Sequence, residues 1–105
     1  MDSSTKELID ILGELVALLE SDGDRHWSAW MRRAKSRLES LDYSGIEYLL
    51  SAYGGMGSFN DLILGQTQSS DKFAWTSGHI ELNARLDKLR SRAWELAQWI
   101  KRSRR

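Results

Sequence analysis

The sequence predicts an all-α protein: a small antiparallel helical bundle of about four helices, with one long irregular loop before a long C-terminal helix. Three observations carry this expectation. Apolar residues recur at spacings of three and four along several segments. Alternating strand-like runs, proline and internal repeats are all absent. At 105 residues, 41% hydrophobic and 29% charged, the chain suits one modest core. Residues 1–105 are therefore read as a single helical domain, with about 101–105 as a frayed basic tail.

The first helix opens at a capping box, Ser4 with Glu7, in which the hydroxyl and the carboxylate each satisfy an amide of the first turn. Leu8, Ile11, Leu12, Leu15, Val16, Leu18 and Leu19 then follow at helical spacing, with Glu7, Asp10 and Glu14 opposite. The "SDGD" at 21–24 ends this helix and caps the next. In the second helix Trp27, Trp30, Met31, Ala34, Leu38 and Leu41 fall within about 100° of arc, the width of a core-facing stripe. A short third helix follows, capped by Asp42 or Ser44 and stopped by Gly54–Gly55. From there to about Thr76 the expectation is an irregular connection holding at most one short helix or extended turn. From Ser77 onward Leu82, Leu86, Leu89, Ala93, Leu96 and Ile100 form the seam of a long amphipathic helix.

Zero net charge hides segregation. Residues 1–24 balance at −6, 25–38 at +5, 39–84 at −5 and 85–105 at +6. Such blocks suggest helices that complement one another across a bundle, or else opposed surface patches. The acidic, polar start lacks the form of a secretory signal, and no apolar run reaches the roughly 18 residues of a membrane span. The chain has no cysteine, which excludes disulfides and thiolate metal sites. A cytoplasmic protein is expected.

The stretch "YGGMGSFNDLIL" at 53–64 raises the question of a ligand loop. Phosphate-binding loops join a strand to a helix N-terminus and bring a Lys-Ser/Thr pair. This one follows a helix and brings neither, so Gly54 or Gly55 is read as a left-handed C-cap and Gly57 as a second positive-φ turn. Ser58 or Asn60 would cap a short following helix, with Phe59, Leu62 and Ile63 folded back over the bundle. His26 and His79, with Asp22, Asp24 and Glu81, show no metal-ligand spacing, so no metal and no cofactor are expected. Ser58, Asp61 and a histidine lack the elbow sequence of a nucleophile, and no catalytic residue is assigned; the chain is not read as an enzyme. Trp94 and Trp99 sit on opposite flanks of the last helix, each about 100° or more from the seam centre, which suits exposed anchors for a partner.

With its Trp-bearing helix and "LLSAYGG" upstream, the 53–64 stretch resembles a family of small uncharacterised bacterial proteins with a YGGMGSFNDL-type motif. The motif covers about a tenth of the chain, and its helical context extends the likeness to about 27–65. That resemblance implies a bacterial, cytosolic, stand-alone domain. More loosely, it implies kinship with immunity proteins of secreted or contact-delivered toxins. The expected function is therefore to bind and neutralise a cognate toxin by occlusion. The candidate contacts are Glu7, Asp10 and Glu14 on the first helix, Met56, Phe59, Asn60 and Asp61 in the loop, and Trp94 and Trp99. The alternative is a nucleic-acid-associated regulator using the basic second helix and tail. A near-neutral pI of about 6.7 weighs against a dedicated nucleic-acid binder.

Overall fold

Asp2 starts the first helix. Its Oδ1 accepts from the Thr5 amide at 2.8 Å and its Oδ2 from the Thr5 hydroxyl at 3.0 Å. The capping box expected at Ser4 and Glu7 does not form: a full negative charge at the helix N-terminus suits the dipole better, and Glu7 turns instead to Arg92. In the computed structural model, which describes residues 1–69 and 72–104, the helices are α1 (Ser3–Ser21), α2 (Arg25–Glu39), α3 (Ser44–Leu50) and α4 (His79–Ser103). Together they make the small all-α bundle that the periodicity predicts.

α1 lies at the centre, packed against both α2 and α4, while α3 bridges α2 and α4. This placement explains its composition. Thr5, Leu8, Ile11, Leu12, Leu15, Val16, Leu18 and Leu19 are all buried, an arc of roughly 160° at 100° per residue, wider than one core-facing stripe. Leu86, Ala93, Leu96, Ala97 and Ile100 supply the α4 side, and Met31, Ala34 and Leu38 the α2 side. The alternating charge blocks serve the bundle. Glu7 pairs with Arg92 and Glu14 with Arg85, so seven residues up α1 match seven residues down α4 in an antiparallel register. Glu20 pairs with Arg32 of α2, and Glu47 of α3 with Lys101 of α4.

Several local expectations are corrected. Asp24 caps α2 through the Trp27 amide at 2.8 Å, as expected, but Leu41 is not core. It lies past the end of α2 at φ 60° and is 59% exposed. α3 ends at Leu50, before the glycines, because consecutive tight turns (Ala52 amide to Leu49, Tyr53 amide to Leu50) satisfy its last carbonyls. Neither Gly54 nor Gly55 is therefore its C-cap, whereas Gly57 does adopt φ 80°. The basic end is helical through Ser103 rather than frayed, and Arg105 lies outside the described residues.

The connection between α3 and α4 is also more ordered than expected. A single 3-10 turn, Phe59–Asp61, is capped by Ser58 Oγ, which accepts from the Asn60 amide. A β-hairpin then pairs β1 (Gln66–Ser69) with β2 (Lys72–Trp75), Gln66 opposite Trp75. Four-residue strands are too short to establish a period of two, which is why sequence patterning passes over them.

Candidate partner-binding surface

The glycine stretch is held down from beneath by the core and from the side by α4. Phe59 is completely buried, its ring 5.3 Å from that of Trp27 and edge-on to Tyr53 at 5.6 Å. Arg90 of α4 then takes over the backbone: one guanidinium nitrogen donates to the carbonyls of Phe59 and Leu62, each at 2.9 Å. The other pairs with Asp87. Almost two turns earlier, Asn83 accepts from the Leu64 amide at 2.7 Å and donates to the Leu64 carbonyl at 2.9 Å. Asp22, at the end of α1, accepts from the Gly65 amide at 3.0 Å. These bonds satisfy backbone groups of the loop; the Phe59 carbonyl also accepts from the Leu62 amide at 3.3 Å. The loop is thereby a fixed wall rather than a cradle.

That wall and α4 enclose an open trough. Its upper part, about 700 Å³, is lined by Ile63, Trp75, Ile80, Ala84 and Asp87 among others. A lower part of about 450 Å³ shares Asn60 and Arg90 with it and adds Tyr53, Ser91, Trp94 and Glu95. Trp94 and Glu95 in turn border a hollow of about 740 Å³ beside Glu7, Arg92 and Trp99. The ring of Trp75 stacks on His79 at 4.6 Å. Three of the five tryptophans thus escape the core: Trp75, Trp94 and Trp99 are 45%, 44% and 56% exposed.

The structure sorts the sequence candidates. Asn60, Asp61, Trp94, Trp99 and Glu7 border this continuous surface. Phe59 is a core residue, as its expected folding back over the bundle implies, and presents nothing to a partner. Asp61 Oδ2 accepts from the Gly57 amide at 2.7 Å, bracing the loop tip. Met56 stands fully exposed at that tip, away from the trough lining. Glu7 holds Arg92 by two bonds of 2.8 and 3.2 Å, which raises the affinity of that guanidinium for its proton. Glu14 reaches Arg85 at 3.5 Å, so only Asp10 of the three α1 acids faces outward without bridging to α4. Gly54, Gly55, Gly57 and Ser58 shape the loop; Ser58 Oγ also donates to the Gly54 carbonyl.

Sequence reasoning missed Trp75, Ile80, Asp87, Arg90 and Glu95. Asp87 and Glu95 stand out in the sequence as the two acids of the basic last block, and Ile80 as an apolar residue off the seam. Arg90 had no such signal, because its partners are carbonyls about thirty positions away. Among the described residues no three metal-capable side chains come together, and none of the helices is long and apolar enough to cross a membrane. Tyr53, partly buried and donating to the Arg90 carbonyl at 2.6 Å, has its phenol pushed well above the usual range by loss of solvent.

A family model described as a domain of unknown function (DUF6966) matches residues 20–72, from the end of α1 into the hairpin. No curated protein and no solved structure matches the chain.

Proposed function

The chain belongs to the family of the domain of unknown function DUF6966, and we propose that it is a cytoplasmic bacterial interaction protein: an immunity protein that binds a cognate toxin and neutralises it by occlusion. The observation that carries this reading is the run of half-exposed tryptophans bordering α4. Tryptophan is enriched among the residues that dominate binding energy, and three of them border one continuous surface. The surface around them is pre-organised by Arg90 and Asn83, which lowers the entropy lost on association.

The basic residues of α2 favour a nucleic-acid role less. Arg32 is paired with Glu20, Lys35 with Glu39, and Arg37 lies 4.5 Å over the ring of Tyr48. Those cations are engaged within the molecule.

Co-expression with the product of the adjacent open reading frame tests the proposal. Growth rescue and co-purification are expected for the wild-type chain. Combined Trp94→Ala and Trp99→Ala should abolish both while the melting temperature stays close to wild type. Full rescue by the double variant would remove the tryptophan surface from the reading, and a neighbouring product that neither harms growth nor co-purifies would remove immunity.

A further inference from the structure

The trough between the loop and α4 has a charge pattern that specifies what fits it. Arg90, its one arginine, is sunk to 14% side-chain exposure beneath the loop carbonyls, whereas Asp87 beside it is 64% exposed. Glu95 is 59% exposed and meets only Arg92, at 3.7 Å. Asp61 is exposed on the opposite wall, with its Oδ2 taken by the Gly57 amide. The charges a visitor meets in the trough are therefore acidic, although the surrounding stretch of α4 is basic. Between them lie Ile63, Ile80 and Trp94, exposed by 51%, 70% and 44%. The run from Ile80 to Trp94 measures ~21 Å at the helical rise of about 1.5 Å per residue.

We infer that this trough receives a basic amphipathic helix of the partner, about four turns long, with its apolar stripe on Ile80 and Trp94 and its lysines or arginines reaching Asp61, Asp87 and Glu95. A helix laid in a groove buries apolar residues at i, i+3, i+4 and i+7 and leaves its flanking charges at the rim. Acidic rims steer and align such a helix and repel an acidic one. The inference rests on the partner-binding reading above and names the chemistry of the partner at that site.

A synthetic helix of about fifteen residues, with Leu and Phe on one face and Lys elsewhere, is the probe, beside a twin with Glu in place of Lys. Both are titrated into the isotope-labelled full chain, with amide shifts as the readout. The Lys peptide is expected to saturate and to shift Asn60, Ala84, Asp87 and Trp94, and the Glu peptide to bind at least about tenfold more weakly. Ala84→Lys and Glu95→Lys, exposed changes that touch no core contact, should each weaken the Lys peptide by about tenfold at low salt, with melting curves as the control. Equal affinity for the two peptides, no saturable binding, or shifts confined to α2 would overturn the inference. So would concentration-dependent self-association that shifts the same amides without peptide, since a second copy would then be the occupant. If the toxin co-purifies through Trp94 and Trp99 while the Lys peptide fails, the helix falls and the binding reading stands. If the Lys peptide fills the trough but co-expression gives no rescue, immunity falls and the helix stands.

Discussion

Leu41 ends α2 in a left-handed conformation, φ 60°, that any residue carrying a Cβ disfavours. The Leu41 amide bonds to Leu38 and the Asp42 amide to Arg37 at 2.8 Å, the paired bonds of a glycine-type helix end made here without glycine. Its side chain is mostly in water, so little packing offsets the strain. Leu41→Gly is expected to stabilise the protein by roughly 1 kcal/mol, read as a rightward shift of the urea midpoint at unchanged slope. Gly65 is the opposite case: at φ 80° a Cβ would meet His79 Cβ at 2.6 Å. Gly65→Ala should cost about 2 kcal/mol or more, whereas Gly55→Ala, with open space around it, should leave the midpoint unmoved. Tyr53 gives a pH signature. Because burial raises its folded-state pKa above the unfolded value, its share of stability is intact below about pH 10 and is lost as pH climbs from there. Tyr53→Phe should flatten the alkaline limb of a stability–pH curve.

The long helices were legible because α1, α2 and α4 each repeat an apolar period for several turns. α3, with seven residues, was legible more from its flanking Asp42 and glycines than from its pattern, and those glycines misplaced its end. The hairpin was not legible. "QTQS" and "KFAW" are short, and only their Thr and aromatic residues, set around a Ser-Ser-Asp stretch, hint at strands. Of the candidate surface, the flank positions of Trp94 and Trp99 could be read from the helical wheel, while the wall facing Trp94 could not. That wall depends on Arg90 and Asn83 reaching backbone groups, and backbone groups leave no trace in residue identity. Arg90→Met should therefore cost about 1–3 kcal/mol, chiefly by leaving the Leu62 carbonyl without a donor, since the Phe59 carbonyl keeps the Leu62 amide at 3.3 Å. It should also speed hydrogen exchange at Leu64 more than at Leu12, since the loop opens before the bundle does.

On the scale of the whole molecule, the charge blocks turn a neutral chain into a set of matched faces. Glu7→Lys, Asp10→Lys and Glu14→Lys, combined, would set lysines against Arg92 and Arg85. The pairs are half exposed, so the expected loss is modest and shrinks as salt is raised. A loss that ignores salt would mean that packing rather than charge was disturbed. The molecule is long, 50 × 24 × 20 Å, and α4, at 25 residues, is its longest helix.

The beginning of α1 and the end of α4 lie together: Asp2, Ser4, Ser103 and Arg104 border the same hollow. Met56, in contrast, is wholly in solvent at the loop tip. A short linker joining the two ends and a cut between Met56 and Gly57 would sever none of the helix pairings, because Phe59 and the loop carbonyls stay docked on their own side of the cut. The chain is thus built to survive circular permutation at that bond. Expressed as two separate pieces, residues 1–56 and 57–105, it should reassemble through α1 and α4 and behave as a split protein.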